Sequence, residues 1–297
     1  MAKNAQHRHS KVGAFDIINV TILSLLAFVC VYPFYYLIIY SLSNSTEATR
    51  HGIWLLPVGF TVKNYKTLFQ RGDIWMATFI SASRAVIGTI VHVACSSFFA
   101  YLLTKKDLIG RKIFYRLLVI TMYLNAGIIP YFMVMKAYGL KDNYLLYILP
   151  GAVGAYNVIL IKTYMENIPA ELEEAARIDG AGYFKAFVKV IFPVCTPVLA
   201  TVTIFSAVSQ WNSWQDNFYL VRDPKLKTLQ LLLMEYLQNM DSTLITDINT
   251  ALDRMNRTST LSLKTCISVI TMIPIMLVYP LFQKYFVKGI MLGSVKG

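Results

Sequence analysis

Charged side chains are scarce in this chain of 297 residues: Asp, Glu, Lys and Arg together make up 15%, where a soluble domain carries about 25%. A chain of this length can bury a large core, but a soluble fold would still need a charged surface. The shortfall, with 56% hydrophobic residues and a mean hydropathy of +0.51, makes lipid the solvent for much of the surface. It argues against a soluble enzyme, a nucleic-acid-binding domain and a disordered protein. Acids are the scarcer sign, 16 against 28 Lys and Arg, for a net charge of +12. In a soluble protein that excess would point to nucleic acid. In a membrane protein it reports topology, because Lys and Arg collect in cytoplasmic loops.

Reactive constellations are missing as well. The four cysteines, Cys30, Cys95, Cys195 and Cys266, never fall in Cys-x-x-Cys spacing and all lie in apolar stretches. They read as small buried hydrophobes, not as a disulfide framework or a metal site. No Gly-x4-Gly-Lys-Ser/Thr phosphate loop occurs, so the chain is not expected to hydrolyse ATP by itself. His-Glu-x-x-His, Gly-x-Ser-x-Gly and any metal-ligand cluster are absent too. No internal repeat or low-complexity tract is present.

What is there is a set of long apolar runs. A lipid-crossing helix needs about 20 mostly apolar residues. The pattern predicts an all-α membrane protein with six spans, roughly Phe15–Ser41, Ile74–Thr104, Ile113–Met135, Tyr144–Met165, Phe192–Trp214 and Leu263–Phe286. The apolar core of the first, Ile17–Ile39, is too long for a signal h-region. It is expected to stay as a signal anchor. Lys3, Arg8 and Lys11 before the first span, and Lys105, Lys106, Arg111 and Lys112 after the second, place both segments in the cytoplasm. Six spans then return the C-terminus, with Lys284, Lys288 and Lys296, to the same side. The expected layout is a cytoplasmic segment 1–14, a six-helix transmembrane domain 15–286 and a cytoplasmic tail 287–297. The connections 42–73, 136–143 and 215–262 fall outside. The last holds Asp216, Asp223, Glu235, Asp241, Asp247 and Asp253 and reads either as a docking surface or as a solvated loop.

The cytoplasmic connection 166–192 is the most informative segment. Pro169 suits a first helical turn, where its missing N–H costs nothing. Glu171, Glu173 and Glu174 follow, at the end of a helix that favours anions. Leu172, Ala175, Ala176 and Ile178 supply apolar contact positions, and Asp179-Gly180 stops the helix. A second amphipathic helix is expected, with Phe184, Phe187, Val188 and Ile191 on its apolar side, before Pro193 and Pro197 lead into the fifth span. Short helices of this kind are marginal alone and need a surface to dock on.

Glu174-Ala175-Ala176, then Gly180, Val190, Phe192 and Pro193, resembles the EAA loop of ABC-importer permeases, EAA-x3-G-x9-I-x-L-P, with Val190 for Ile and Phe192 for Leu. Asp179-Gly180-Ala181, the Pro193 and Pro197 pair, Asn157, Trp211-Asn212 and the tail from Gln283 to Gly297 are similar to the carbohydrate branch of that family. Asn125-Ala126-Gly127-Ile128-Ile129-Pro130 looks like a subgroup that includes permeases for complex or uronate-type oligosaccharides. The resemblance implies a type I importer fold in a bacterial cytoplasmic (inner) membrane. It implies a homologous second permease, two ATP-binding subunits that hold ATP and Mg, an extracytoplasmic solute-binding protein and an oligosaccharide cargo. It gives this chain no cofactor, no nucleic-acid partner and no catalytic role. It makes Glu174, Ala175, Ala176, Asp179, Gly180, Ala181 and Pro193 the ATPase-coupling residues, with Glu174 pairing a basic partner residue and the tail touching the ATPase dimer. The blander roles of Glu174 and Gly180 are helix-terminal charge and helix cap.

Polar groups inside spans are costly and often functional. Arg84, His92, Asn125, Asn157, Gln210 and Asn212 are the candidates for the cargo path, with Tyr123, Tyr131, Tyr156, Trp211 and Trp214 as aromatic faces. Six of these have a second reading. Trp211 and Trp214 suit an interfacial aromatic belt. His92, Asn125 and Asn157 suit hydrogen bonds between helices. Arg84 can snorkel or pair with a neighbouring subunit, and an anionic cargo would strengthen its claim. A non-sugar cargo, an ion-coupled secondary transporter and a membrane enzyme are the rival readings. The second would want intramembrane carboxylates, and the third has no catalytic constellation.

Overall fold

The computed structural model describes residues 13–70, 72–124, 126–243, 261–278 and 280. The regular elements among these are all helical. The N-terminal segment before Gly13, the tail and Asn125 lie outside the described residues.

Two compact units divide the chain. The first comprises residues 1–67 and 248–269. Its principal element is α1 (Ala14–Ser41), closed at its start by Asp16, which accepts from the Gly13 N–H at 2.9 Å. At 28 residues α1 reaches about 42 Å. Every side chain from Ala14 to Val31 is exposed, the surface expected of a rod whose solvent is hydrocarbon. Burial begins at Ile39, Tyr40 and Ser41, where α2 (Ser45–His51) and α3 (Lys63–Phe69) close over the helix end. The Asn64 amide donates to the carbonyls of Ser41 and Ser43, at 3.2 and 3.0 Å. The expected outer loop 42–73 is thus a folded cap.

The second unit comprises residues 68–247 and 270–297. In chain order it contains α4 (Gly72–Thr104), α5 (Arg111–Tyr123), α6 (Ile128–Ala137), a 3-10 turn (Tyr144–Tyr147), α7 (Ala155–Met165), α8 (Glu171–Ile178) and α9 (Tyr183–Ala186). A π-helical turn (Phe187–Ile191), α10 (Phe192–Val194), α11 (Thr196–Asn212), α12 (Gln215–Leu220), a 3-10 turn (Pro224–Leu226) and α13 (Leu229–Thr243) follow. A last helix, α14 (Leu261–Val278), is shared between the two units. The core is built where α4, α7 and α11 meet, around Ala100, Tyr101, Val158, Ile161, Cys195, Leu199 and Val202. Small residues on α4, among them Gly88, Ser96, Ser97 and Ala100, let the helices approach closely.

Among the described residues, three helices, α1, α4 and α14, are long and apolar enough to cross a membrane, and α9 to α11 make a fourth if a bend of 84° is counted within one span. The expected third and fourth spans are not continuous rods. α5 stops at Tyr123 and α6 starts at Ile128, with Gly127 between them in the left-handed region at φ +81°. Pro130 cannot extend an earlier helix, because its ring meets the carbonyl four residues before. Pro150, Gly151 and Gly154 interrupt the next run, so its helix begins only at Ala155. The expected fifth span bends at Cys195, beside Pro193 and Pro197.

The connection 215–262 differs from a solvated loop. Asn217 and Leu220 are fully buried, and Leu229, Leu231 and Leu232 nearly so. Asn217 donates to the Tyr147 hydroxyl at 2.6 Å and accepts from the Thr228 N–H at 2.9 Å. Its acids are engaged: Asp223 caps a 3-10 turn, Glu235 pairs with Lys227 and Asp216 pairs with Arg84. The side chain of Asp241, and residues Asp247 and Asp253, lie outside the description. After Gly180 the second amphipathic helix is broken by the π-turn, so that Phe187 and Ile191 are buried while Phe184 and Val188 are exposed.

Candidate functional site

One face of α4 carries Ser81, Arg84, Gly88, His92 and Ser96, all buried and spaced by three or four residues. Across from it stand α11 and the irregular stretch 148–154. Arg84 donates from Nε to Gln210 Oε1 at 3.0 Å, from Nη1 to the Ser213 carbonyl at 3.3 Å, and from both terminal nitrogens to Asp216, at 3.1 and 2.5 Å. Its guanidinium lies 4.6 Å from the Tyr147 ring centroid. Gln210 is wedged between two glycines. A Cβ at Gly88 or Gly151 would come within 2.9 or 3.2 Å of its amide nitrogen.

Two turns along α4, His92 makes a second crossing. Its Nδ1 lies 2.6 Å from the Gly151 carbonyl, which can only accept, so Nδ1 carries a proton. Nε2 lies 2.8 Å from the Asn157 amide nitrogen, which donates to it. A Cβ at Gly154 would stand 2.7 Å from the ring. These bonds hold α4, α7 and the 148–154 stretch in one register, the joining role open to His92 and Asn157.

Arg84, Tyr131, Tyr147, Gln210, Ser213 and Asp216 line a cavity of about 260 Å³. Tyr131, Ser213 and Asp216 also belong to the wall of a larger one of about 860 Å³, otherwise mostly apolar, with Met122, Leu124, Ile128 and Met135. The shared residues make the two adjoin. Hydroxyl, amide and aromatic groups beside apolar surface suit a polyhydroxylated ligand. Arg84 and Asp216 cancel, so the lining carries no net charge. The counter-ion of Arg84 is in its own chain.

The other path candidates separate. Trp211 is buried and donates from Nε1 to the Thr271 carbonyl at 2.9 Å, so it is a packing residue of α11 against α14 and not part of an interfacial belt. Asn212 is exposed at the end of α11. Trp214 is half-buried and packs edge-on to Phe218, with centroids 5.9 Å apart. Tyr123 and Tyr156 are exposed. Asp216 and Tyr147 were not legible as site residues. Asp216 follows the α11 run by four residues and sat among acids assigned to a loop. The signal that points to it is an acid close to a span whose partner span holds an unmatched arginine.

The connection 166–192 forms a helix–turn–helix. α8 has Glu171, Glu173 and Glu174 in its first turn and no buried residue. Glu174 and Ala175 are exposed, Ala176 is half-buried, and Ile178 is 86% exposed. The helix ends in a Schellman motif. Ala181 N–H bonds to the Ala176 carbonyl and Gly180 N–H to the Arg177 carbonyl, both at 3.0 Å, with Gly180 at φ +79°. A Cβ at Gly180 would meet nothing within 4 Å, so only the backbone conformation asks for glycine there. Asp179 is the exposed C-cap, Ala181 is half-buried and Pro193 lies in α10. The arrangement presents Glu171, Glu174 and an uncovered isoleucine on one short, firmly stopped helix.

Residues 92–292 match the family described as binding-protein-dependent transport system inner membrane component. The chain is 36% identical over 283 residues to the polygalacturonan/rhamnogalacturonan transport system permease protein YtcP of Bacillus subtilis (strain 168), covering 95% of this chain and 98% of that one. It is 30% identical over 281 residues to the arabinooligosaccharides transport system permease protein AraQ of Halalkalibacterium halodurans, covering 92% and 93%. A crystal structure of a bacterial ABC transporter involved in the import of the acidic polysaccharide alginate contains a chain that superposes with a TM-score of 0.81 at 32% identity, covering 92% of this chain and 96% of that one. The matches take in α4 with its buried arginine and histidine, the EAA-type loop and the helices that wall the cavity: the chain belongs to the family of inner membrane components of binding-protein-dependent transport systems.

Proposed function

We propose that this chain is one of two membrane-spanning subunits of an ATP-driven importer that moves an oligosaccharide across a bacterial cytoplasmic membrane. Its six spans leave both termini in the cytoplasm. It works with a homologous second permease, two ATP-binding subunits that hold ATP and Mg, and an extracytoplasmic protein that delivers the cargo. α8 is the coupling helix, with Glu174, Ala175, Ala176, Asp179, Gly180, Ala181 and Pro193 as the coupling segment. Closure of the ATPase pair moves α8, and the two permeases exchange inward- and outward-facing states around the cavity. The observation that carries this reading is α8 itself, a helix with no buried residue, three acids in its first turn and a glycine-dependent stop, in a chain that carries no phosphate loop of its own.

The cargo is proposed to be acidic, as the names of the polygalacturonan/rhamnogalacturonan transport relative and the alginate importer suggest. A neutral oligosaccharide is the second reading, favoured by the cancelled charge of the cavity wall and by the arabinooligosaccharide relative. The test is the ATPase rate of the reconstituted complex with loaded binding protein, across uronate and neutral oligosaccharides, with Gly180→Asp as control. Stimulation by uronate oligomers that is lost in the control supports the acidic reading. Stimulation by neutral oligomers alone transfers support to the second. No stimulation by any sugar in an assembled complex overturns the carbohydrate assignment.

A further inference from the structure

Glu173 and Glu174 are neighbours in sequence and differ in everything else. Successive helical residues point about 100° apart. Glu174 faces solvent, while Glu173 turns inward with its side chain only 18% exposed. Glu173 Oε1 accepts from the Tyr101 hydroxyl at 2.9 Å, and Oε2 pairs with Lys105. The Lys105 ammonium sits 4.0 Å from the Tyr101 ring centroid, and Tyr101 is buried. One acid thus ties α8 to the last turn of α4 and to the residue that follows it.

A second strap lies beside the first. The Arg177 guanidinium stacks 4.6 Å from the Tyr183 ring centroid, and the Tyr183 hydroxyl donates to Asp107 at 2.8 Å. That hydrogen bond also pushes the Tyr183 phenol above its ordinary value. Phe187 packs on Tyr101 and Phe98, with centroids 5.1 and 5.4 Å away. Among the described residues, the polar side-chain bonds that leave the 171–186 segment end on Tyr101, Lys105 and Asp107.

Two routes lead from α8 to the cavity. The one that follows the chain crosses the π-turn at Phe187–Ile191 and then the 84° bend at Cys195. The other is α4, 33 residues of unbroken helix without a proline. Tyr101 and Arg84 are 17 positions apart on it, about 26 Å along the axis. A displacement of α8 reaches Arg84, Gly88 and His92 along α4 as a rigid-body motion, whereas the chain route is interrupted twice. Gln210, held between Gly88 and Gly151, is the contact that motion would shear.

We infer that the Glu173–Tyr101–Lys105 cluster is the joint through which the coupling helix drives α4, with Glu173 as its positioning residue. This rests on the importer reading. The experiment uses the whole reconstituted importer and reads cargo moved per ATP hydrolysed. Lys105 and Glu173 are both replaced by cysteine in a background lacking the exposed Cys30 and Cys95. The same preparation is assayed after bridging by a short reducible dithiol reagent and again after reduction, so folding is common to both arms. The joint predicts a ratio at least fivefold lower when reduced, recovered to at least half the starting value when bridged. It also predicts that Glu173→Gln lowers the ratio at least threefold and that the Lys105→Glu/Glu173→Lys exchange recovers part of it. Equal ratios in the bridged and reduced states overturn the joint while leaving the importer reading intact, provided Gly180→Asp abolishes cargo stimulation. A Gly180→Asp complex that responds normally to loaded binding protein overturns both.

Discussion

The ion pair between Arg84 and Asp216 joins residues 132 positions apart, and its side chains are 4% and 12% exposed. Removing one partner from such a pair leaves an uncompensated buried charge, at a cost of about 3–5 kcal/mol. Asp216→Ala leaves Arg84 with Gln210 and one carbonyl, which bonds the guanidinium but does not neutralise it. The expected loss is about 4 kcal/mol, nearly three decades in the folding equilibrium at about 1.4 kcal/mol per decade. Arg84→Met leaves a carboxylate that keeps bonds from the Asn217 N–H at 2.9 Å and the Ser213 hydroxyl at 3.3 Å. Its loss falls at the lower end, about 3 kcal/mol. The double replacement Arg84→Met/Asp216→Leu removes both charges and costs far less than the sum, about 0–3 kcal/mol, so the coupling energy of the cycle is at least about 4 kcal/mol. Unfolding in mixed detergent micelles measures the three variants. Additive losses would refute the claim that these two charges compensate each other. The double variant should also keep its apparent affinity for uronate cargo, since Arg84 serves Asp216. A tenfold or greater loss of that affinity would make Arg84 a cargo ligand.

Two glycines separate crowding from backbone conformation. Gly154→Ala drives a methyl into His92, 2.7 Å away, and should cost about 1–3 kcal/mol in a thermal or detergent unfolding assay. Gly180→Ala meets open space and pays only the left-handed backbone penalty, about 1–2 kcal/mol, confined to the end of α8. It should weaken ATPase stimulation more than global stability. Ile178→Ser removes an 86% exposed side chain, so stability should hold within about 0.5 kcal/mol while co-purification with the ATPase subunits falls several-fold; unchanged co-purification would remove Ile178 from the docking face. Asp142 accepts backbone N–H bonds from Arg222 and Asp223, and chiefly the first holds its carboxyl below the ordinary 3.8. A depressed carboxyl stabilises the fold above that ordinary value and stops doing so as pH falls through the lower, folded value. Melting curves in acid should show this loss in the parent chain, and Asp142→Asn should flatten it.

The segments that local chemistry governs were legible without a structure. α1, α4 and the start of α14 follow from apolar runs of sufficient length. α8 follows from Pro169, three acids and Gly180, all within a dozen residues. Breaks were less legible, although their residues were in view. Pro130, Pro150, Gly151 and Gly154 are compatible with a spanning helix when neighbours satisfy the freed backbone groups, and nothing local says whether they will. Here Ser96 accepts from the Gly154 N–H at 3.3 Å and His92 donates to the Gly151 carbonyl, so the 148–154 stretch has partners outside the helix.

By itself the sequence determined the apolar rods and the short acidic helix stopped at Gly180, because each depends on composition or on residues within a turn or two of one another. Tertiary structure alone decided that Arg84 is neutralised, that Trp211 is packing, that Asp216 leaves its loop for the cavity wall, and that Glu173 rather than Glu174 anchors α8. Those outcomes turn on partners 60 to 132 positions distant. Which distant group a charge or an indole meets is set by how helices cross, and the small residues that permit a crossing carry no mark of what lies on the other side.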